Sequence, residues 1–306
     1  MILLDDKCTE LKHKTFIALG SFDGLHLGHL ELIKKTVSLA KENNCYSMVY
    51  TFDNHPMTVI NAEKAPKLIQ SNEDKISLLK AEGVDYVKFE KFDFKCMNTE
   101  CDDFVCALAD KYNANGIVVG FNYRFGKGNR GDIELLSKLC STYNLKLHIC
   151  PPFIIDKNIV SSTFIRNLIL NGQVSSVKKY LGRYFSIEDT VIHGKEIGRV
   201  LGFPTANLIL DSRFITPKRG VYFTIVQFNN IFYKAITNVG YNPTVSGTKL
   251  SIESHILDFN ENIYGCKIKV YFLEWLRDEM KFGSLEELKN RLSLDKESVY
   301  KKQNIL

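Results

Sequence analysis

Nowhere in this 306-residue chain does an apolar run approach the length needed to cross a bilayer as a helix, so a helical membrane span is excluded. A CxxC pair is also missing. Among the eight cysteines, Cys96, Cys101 and Cys106 fall at equal five-residue intervals, which match neither the spacing of a metal-binding pair nor one helical face. The opening MILLDDKC sets acidic residues directly after a very short apolar stretch, so no secretion signal is expected from it. Reduced thiols are therefore expected, several filling core positions as small apolar groups, and the expected location is the cytoplasm. The basic residues form no stripe. A net charge of +5 and a pI near 8.6 suit anionic small molecules, and neither nucleic acid nor a membrane is an expected partner. Low-complexity linkers and internal repeats are absent. With 45% hydrophobic and 25% charged residues, the chain can bury the core of one large or two medium domains. Nothing in it specifies an oligomeric state.

What is present starts at FIALGSFDGLHLGH, Phe16 to His29. The apolar run Phe16 to Leu19 predicts a buried strand, and Gly20, Asp23 and Gly24 predict a turn into a helix beginning near Leu25. Backbone N–H groups at such a helix start, with the positive end of its dipole, attract phosphate. His26 and His29, three apart, project from the same side of the first turn and can both donate to phosphate oxygens. Gly28 between them leaves room for a flat ligand. Histidines at this spacing could also be half of a metal site, without a convincing third ligand, or ordinary surface residues.

The first half alternates strand and helix signals. Helices are predicted from Leu25 to about Glu42, Glu73 to Ala81, Asp102 to Tyr112 and Gly131 to Thr142. Strands are predicted at Tyr46 to Phe52, Tyr86 to Phe89, Gly116 to Val119 and Leu145 to Ile149. This is the pattern of a Rossmann-like α/β domain with a parallel sheet, binding ligands at the carboxyl ends of its strands. After Gly182 only strands and turns are read as far as Leu276: Val191 to Ile192, Val221 to Phe228, Ile231 to Thr237, Leu250 to Phe259 and Lys267 to Leu273. Asn229 and Asn230 suit a hairpin turn, since asparagine tolerates positive φ. A small β barrel is expected, closed by a helix that Ser284, Glu286 and Glu287 begin in capping-box fashion. The expected domains are residues 1–183 and 184–306.

Joined by Gly120 to Asp132 (GFNYRFGKGNRGD) and Ser161 to Arg166 (SSTFIR), the Gly20 to His29 segment resembles the FMN adenylyltransferase domain of prokaryotic bifunctional FAD synthetases. The resemblance implies transfer of AMP from ATP to FMN, giving FAD and pyrophosphate. It assigns catalysis to His26, His29 and Arg166, and binding to Gly20, Phe22, Asp23, Gly28, Asn122, Arg124, Ser162 and Thr163. Many relatives carry aspartate where this chain has Asn122. That change weakens a carboxylate role and leaves a positioning role intact.

The second half is similar to the riboflavin kinase domain of the same enzymes, through GRVLGFPTANL (Gly198 to Leu208), KRGVY (Lys218 to Tyr222), NVGYNPT (Asn238 to Thr244), IESHILDF (Ile252 to Phe259) and LRDEMKF (Leu276 to Phe282). That likeness implies phosphorylation of riboflavin to FMN by ATP with Mg2+, releasing ADP. Glu253 would be the catalytic base, Thr205 and Asn207 would bind Mg2+ and nucleotide phosphates, and Gly194 and Gly198 would shape the nucleotide loop. Arg277 would contact flavin, although beside Asp278 and Glu279 it could equally form a surface ion pair. Glu188 and Asp189 stand where relatives usually have a glycine, which puts the first barrel strand in question. Two other functions fit parts of this pattern: an adenylyltransferase with a kinase-inactive barrel, and a flavin sensor without turnover.

Overall fold

The computed structural model describes residues 1–5, 10–194, 198, 201–244 and 247–303. By their contacts they form two compact units, residues 1–162 and 163–306.

Six parallel strands build the first unit: β1 (Ile2–Leu4), β2 (Thr15–Leu19), β3 (Tyr46–Phe52), β4 (Tyr86–Glu90), β5 (Ala114–Gly120) and β6 (Lys146–Cys150). They lie in the order β1-β4-β3-β2-β5-β6. Central β2 is buried at every position, as expected of a strand covered on both faces. Its residues alternate between two cores. Ile17 and Leu19 join Met48, Ile117 and Val119 under the helices Cys101–Lys111 and Ile133–Thr142. Phe16 and Ala18 join Val49 and Val118 under the helix Leu27–Glu42. Edge strand β1 is not predicted, because three mostly exposed residues carry no periodic signal. Two helices start two residues later than their patterns suggest, because His26 and Asp132 serve as N-caps: each accepts a backbone N–H three residues on. A short hairpin, β7 (Ile154–Ile155) with β8 (Asn158–Ile159), follows the sheet.

Past the helices Ser162–Leu170 and Val174–Leu181, the chain turns at Gly182, in left-handed conformation, into a closed antiparallel barrel. Its strands are β9 (Phe185–Ile192), β10 (Ala206–Ile209), β11 (Gly220–Phe228), β12 (Ile231–Thr244), β13 (Gly247–Ile256) and β14 (Lys267–Arg277), in the order β10-β13-β12-β11-β14-β9. The predicted Val191 to Ile192 is only the end of an eight-residue β9. Glu188 and Asp189 sit in its regular ladder, opposite Lys269 and Ile268, so the strand forms without the relatives' glycine. Asn229 and Asn230 make the β11–β12 turn at φ 47° and 64°. Inside the barrel, fully buried hydroxyls are linked in a chain: Thr224 to Thr237 at 2.7 Å, and Thr237 to Ser254 at 2.8 Å. The closing helix, Leu285–Tyr300, begins at Ser284, whose hydroxyl accepts the Glu287 N–H.

Candidate functional site

Strands β2 and β5 are neighbours, yet their connections leave for opposite sides of the sheet. Gly20, just past β2, and Gly120, ending β5, therefore flank the topological switch point where open α/β sheets bind ligands. The chain leaves Gly20 through a constrained turn. Phe22 and Leu25 are buried non-glycine residues at positive φ, 46° and 36°. Asp23 Oδ1 accepts the Ile69 N–H at 3.0 Å, and Ser162 Oγ donates to the Asp23 carbonyl at 2.8 Å. Both side chains thus hold the turn itself.

At the helix start, His26 Nδ1 accepts the His29 N–H at 3.2 Å, and the two rings stack with centroids 3.5 Å apart. A neutral His26 then carries its proton on Nε2. Phe22 lies edge-on to His29 at 5.3 Å. Burial, followed by the nearby His26 and Lys75 charges, holds the His29 imidazole well below its ordinary range, so it is neutral near pH 7. Its Nδ1 is buried with no hydrogen-bond partner among the described residues. The space over Gly28, read as room for a ligand, lies against protein. A Cβ there would come within 3.1 Å of the Phe153 Cβ and 3.4 Å of the His26 ring.

Asn122 and Arg124 are exposed on the loop after β5, where Phe125 pairs with Gly131 and pinches the loop. Arg124 Nη1 lies 3.6 Å from Asp132 Oδ2. Thr163 is exposed and Arg166 half-buried on the helix Ser162–Leu170, in the second unit.

The barrel site is a matter of strand register. On β13, Glu253 lies directly opposite Asn207 of β10 on one side and Asn238 of β12 on the other. Directly opposed residues share a face, so carboxamide, carboxylate and carboxamide form one row. Buried Asn207 donates from Nδ2 to the Thr205 carbonyl at 3.2 Å and to its hydroxyl at 3.4 Å, leaving Asn207 Oδ1 as an acceptor. Gly194 permits this, since a Cβ there would overlap the Asn207 amide. The Gly198 carbonyl accepts the Phe203 N–H at 2.7 Å and closes the loop before Pro204; Arg199 and Val200 of this motif lie outside the described residues. Thr205 and Asn207 oxygens beside a carboxylate form a hard donor set that fits Mg2+. The Arg277 guanidinium forms its ion pair with neither the Asp278 nor the Glu279 carboxylate, although Nη1 donates to the Asp278 backbone carbonyl at 3.1 Å. It binds Asp295 of the closing helix, with Nη2 at 2.7 Å from Oδ2, and the pair is nearly buried. Arg291 joins the same carboxylate at 3.0 Å.

Two polar residues were given no role from the sequence, Lys75 outside the motifs and His255 within IESHILDF. Lys75, 5% exposed, lines a cleft with Ser21, Asp23, Asp53 and His55 beyond the ends of β2 and β3. Its one sequence signal is its position four residues before buried Leu79 on the inner face of the helix Asn72–Ala81. His255, also buried, hydrogen-bonds the Pro204 carbonyl through Nδ1 at 2.9 Å and so steadies the segment leading to Thr205. The cysteines carry no comparable site. Of the seven described, Cys140 alone is buried and the rest are half-buried, so they fill the core less than expected. Cys101 and Cys106 lie on the helix Cys101–Lys111 outside its buried positions Val105 and Leu108, and Cys45, Cys150 and Cys266 lie at or just outside strand ends. Burial pushes the Cys96 thiol up to about 11, which keeps it protonated. Among the described residues, no three His, Cys, Asp or Glu side chains gather as a metal site.

A parallel sheet with paired histidines at its switch point, followed by a closed barrel with a strand-borne carboxylate, defines a two-part nucleotide-handling transferase. Family models agree: FAD synthetase matches residues 8–164 and riboflavin kinase residues 181–302. The bifunctional riboflavin kinase/FMN adenylyltransferase of Buchnera aphidicola subsp. Schizaphis graminum is 33% identical, over 97% of this chain and 96% of that protein. The protein of the same description from Bacillus subtilis is 34% identical, over 94% and 92%. This chain belongs to the bifunctional riboflavin kinase/FMN adenylyltransferase family. A crystal structure from Streptococcus pneumoniae, described as a macrolide-efflux protein, matches with 32% identity, a TM-score of 0.88 and 99% coverage of both chains. Efflux has no counterpart in the family matches, and among the described residues no helix is long and apolar enough to cross a membrane.

Proposed function

We propose that the chain makes FMN and then FAD: it phosphorylates riboflavin with one ATP, releasing ADP, and adenylylates FMN with a second ATP, releasing pyrophosphate. The observation that carries this reading is that each family match covers a region with its own polar site. We assign adenylyl transfer to residues 1–183 and phosphorylation to residues 184–306, in the cytoplasm.

Adenylyl transfer asks the protein to align the FMN phosphate with the α-phosphorus of ATP and to neutralise growing oxygen charge. His26 and His29 serve as hydrogen-bond donors to those oxygens, His29 as a neutral imidazole. Arg166 supplies full positive charge. Gly20, Phe22, Asp23, Gly28, Ser162 and Thr163 shape the cradle, and Asn122 and Arg124 reach it from the glycine-rich loop. Asp23 and Ser162 act through the turn they hold together.

In the barrel, Glu253 accepts the proton of the ribityl 5′-hydroxyl as it attacks the γ-phosphorus. Thr205 and Asn207 would hold Mg2+, which would supply Lewis-acid stabilisation of the negative charge on the nucleotide phosphates. Gly194 lets the backbone lie against the Asn207 amide, and Gly198 lets it lie against the Phe203 carbonyl. Arg277, committed to Asp295, fixes the closing helix at the end of β14, and any contact with flavin is made alongside that pair.

Incubation of the purified protein with riboflavin, ATP and Mg2+, followed by chromatographic separation of the flavins, tests the proposal. FMN and then FAD are expected. FMN that never proceeds to FAD, FAD formed only from added FMN, or no turnover would overturn it.

A further inference from the structure

An ammonium group buried where its helix would otherwise present an apolar side chain calls for an explanation, because burial penalises charge. Lys75 is such a group. Its Nζ donates to the Ser21 carbonyl at 3.0 Å and reaches Thr51 Oγ1 at 3.5 Å. Thr51 Oγ1 donates to the same carbonyl at 3.0 Å, so two side chains from different elements converge on one backbone oxygen. That oxygen belongs to the residue immediately before Phe22, where the turn enters its positive-φ path. The Phe89 ring lies under the ammonium, 5.6 Å from Nζ. The charged groups that act on Lys75 are the carboxylates of Asp23 and Asp53; its own charge is felt by His29, and His55 lines the same cleft.

We infer that Lys75 is a positioning residue of the adenylyl-transfer site: its buried ammonium fastens the Ser21 carbonyl, and so holds the Phe22–Leu25 turn and the histidine-bearing helix start in the geometry that receives nucleotide phosphates. The inference rests on the proposed adenylyl transfer. A misplacement of about 1 Å at such a site costs on the order of 100-fold in rate, so the device needs only to suppress small motions. The pH behaviour follows in sign. Burial pulls Lys75 down to about 8 while Asp23 and Asp53 oppose the shift, so the cation is present below that pH and is lost above it. In the unfolded chain the lysine keeps its proton to higher pH, so the buried charge weakens the fold at neutral pH.

The test compares the parent protein with Lys75→Met and Lys75→Arg, measuring FAD formation from FMN, FMN formation from riboflavin, and thermal midpoints. Lys75→Met is expected to lose at least tenfold in kcat for FAD formation, to keep FMN formation within twofold, and to melt no lower than the parent at pH 7. Parent FAD formation should decline as pH rises through about 8. Lys75→Arg, whose guanidinium stays charged, should retain part of the activity without that decline. Lys75→Met within twofold of the parent in FAD formation, a parallel loss of FMN formation, a lower midpoint, or an unchanged alkaline limb in Lys75→Arg would each overturn the inference. A parent that makes no FAD from supplied FMN would overturn the functional proposal itself, and this role with it.

Discussion

The two regions reach a nucleotide-handling site by opposite means. In the parallel sheet the polar groups stand on turns and a helix start just beyond the strands, and Phe22 and Leu25 take unfavourable backbone angles there. In the barrel the groups stand on the strands themselves, where register alone sets Asn207, Glu253 and Asn238 side by side. The difference follows from burial. Strands such as β2 are covered on both faces and have no side chain to spare for chemistry, so function moves to the connections. A small antiparallel barrel can turn one row of a strand toward a ligand.

The sharpest break in the comparison is Glu253→Gln. Loss of the general base is expected to slow FMN formation by roughly 100- to 10,000-fold while FAD formation from FMN continues, measured as separate initial rates. His29→Ala is the mirror experiment. Removing one preorganised donor should cost FAD formation on the order of 100- to 1,000-fold and leave FMN formation intact. If either change stopped both reactions in a folded protein, the two sites would not be independent. Asp295→Ala probes the barrel's dependence on side-chain pairing. It strands the nearly buried Arg277 and leaves Arg291 unpaired, and a loss of about 3–5 kcal/mol is expected in chemical denaturation followed from the barrel. Gly194→Ala is the finest probe. The added methyl must displace the Asn207 amide, at roughly 1–3 kcal/mol, with half-saturation of FMN formation shifted to higher Mg2+ concentration and adenylyl transfer unchanged.

Much of this architecture is legible from residue patterns, unevenly so. The Phe16 to Leu19 strand, the helix carrying His26 and His29, and the Asn229–Asn230 hairpin follow from local preference, and local preference is what those segments obey. Edge strand β1 and most of β9 were not legible. The first is too short, and in the second buried Phe185, Ile187 and Val191 are separated by an irregular run of half-buried and exposed positions. At the sites, the motif residues were visible but several of their partners were not. Asp23 meets Ile69 across 46 residues, Ser162 meets Asp23 across 139, and Lys75 meets Ser21 across 54. A lysine on a helix reads as solvated until the neighbouring strand and turn are known.

The order of amino acids by itself determined the alternation of elements, the change from a 3.6-residue to a two-residue period after Gly182, and which side chains are chemically able to act. Tertiary structure alone decided that Asn207 and Asn238 flank Glu253, that Arg277 answers to Asp295, and that the Gly28 position is filled by Phe153 and His26. The physical reason is range. Backbone preferences and periodicity act within a few residues, whereas strand register, burial and the desolvation of a charge depend on what the rest of the chain brings alongside.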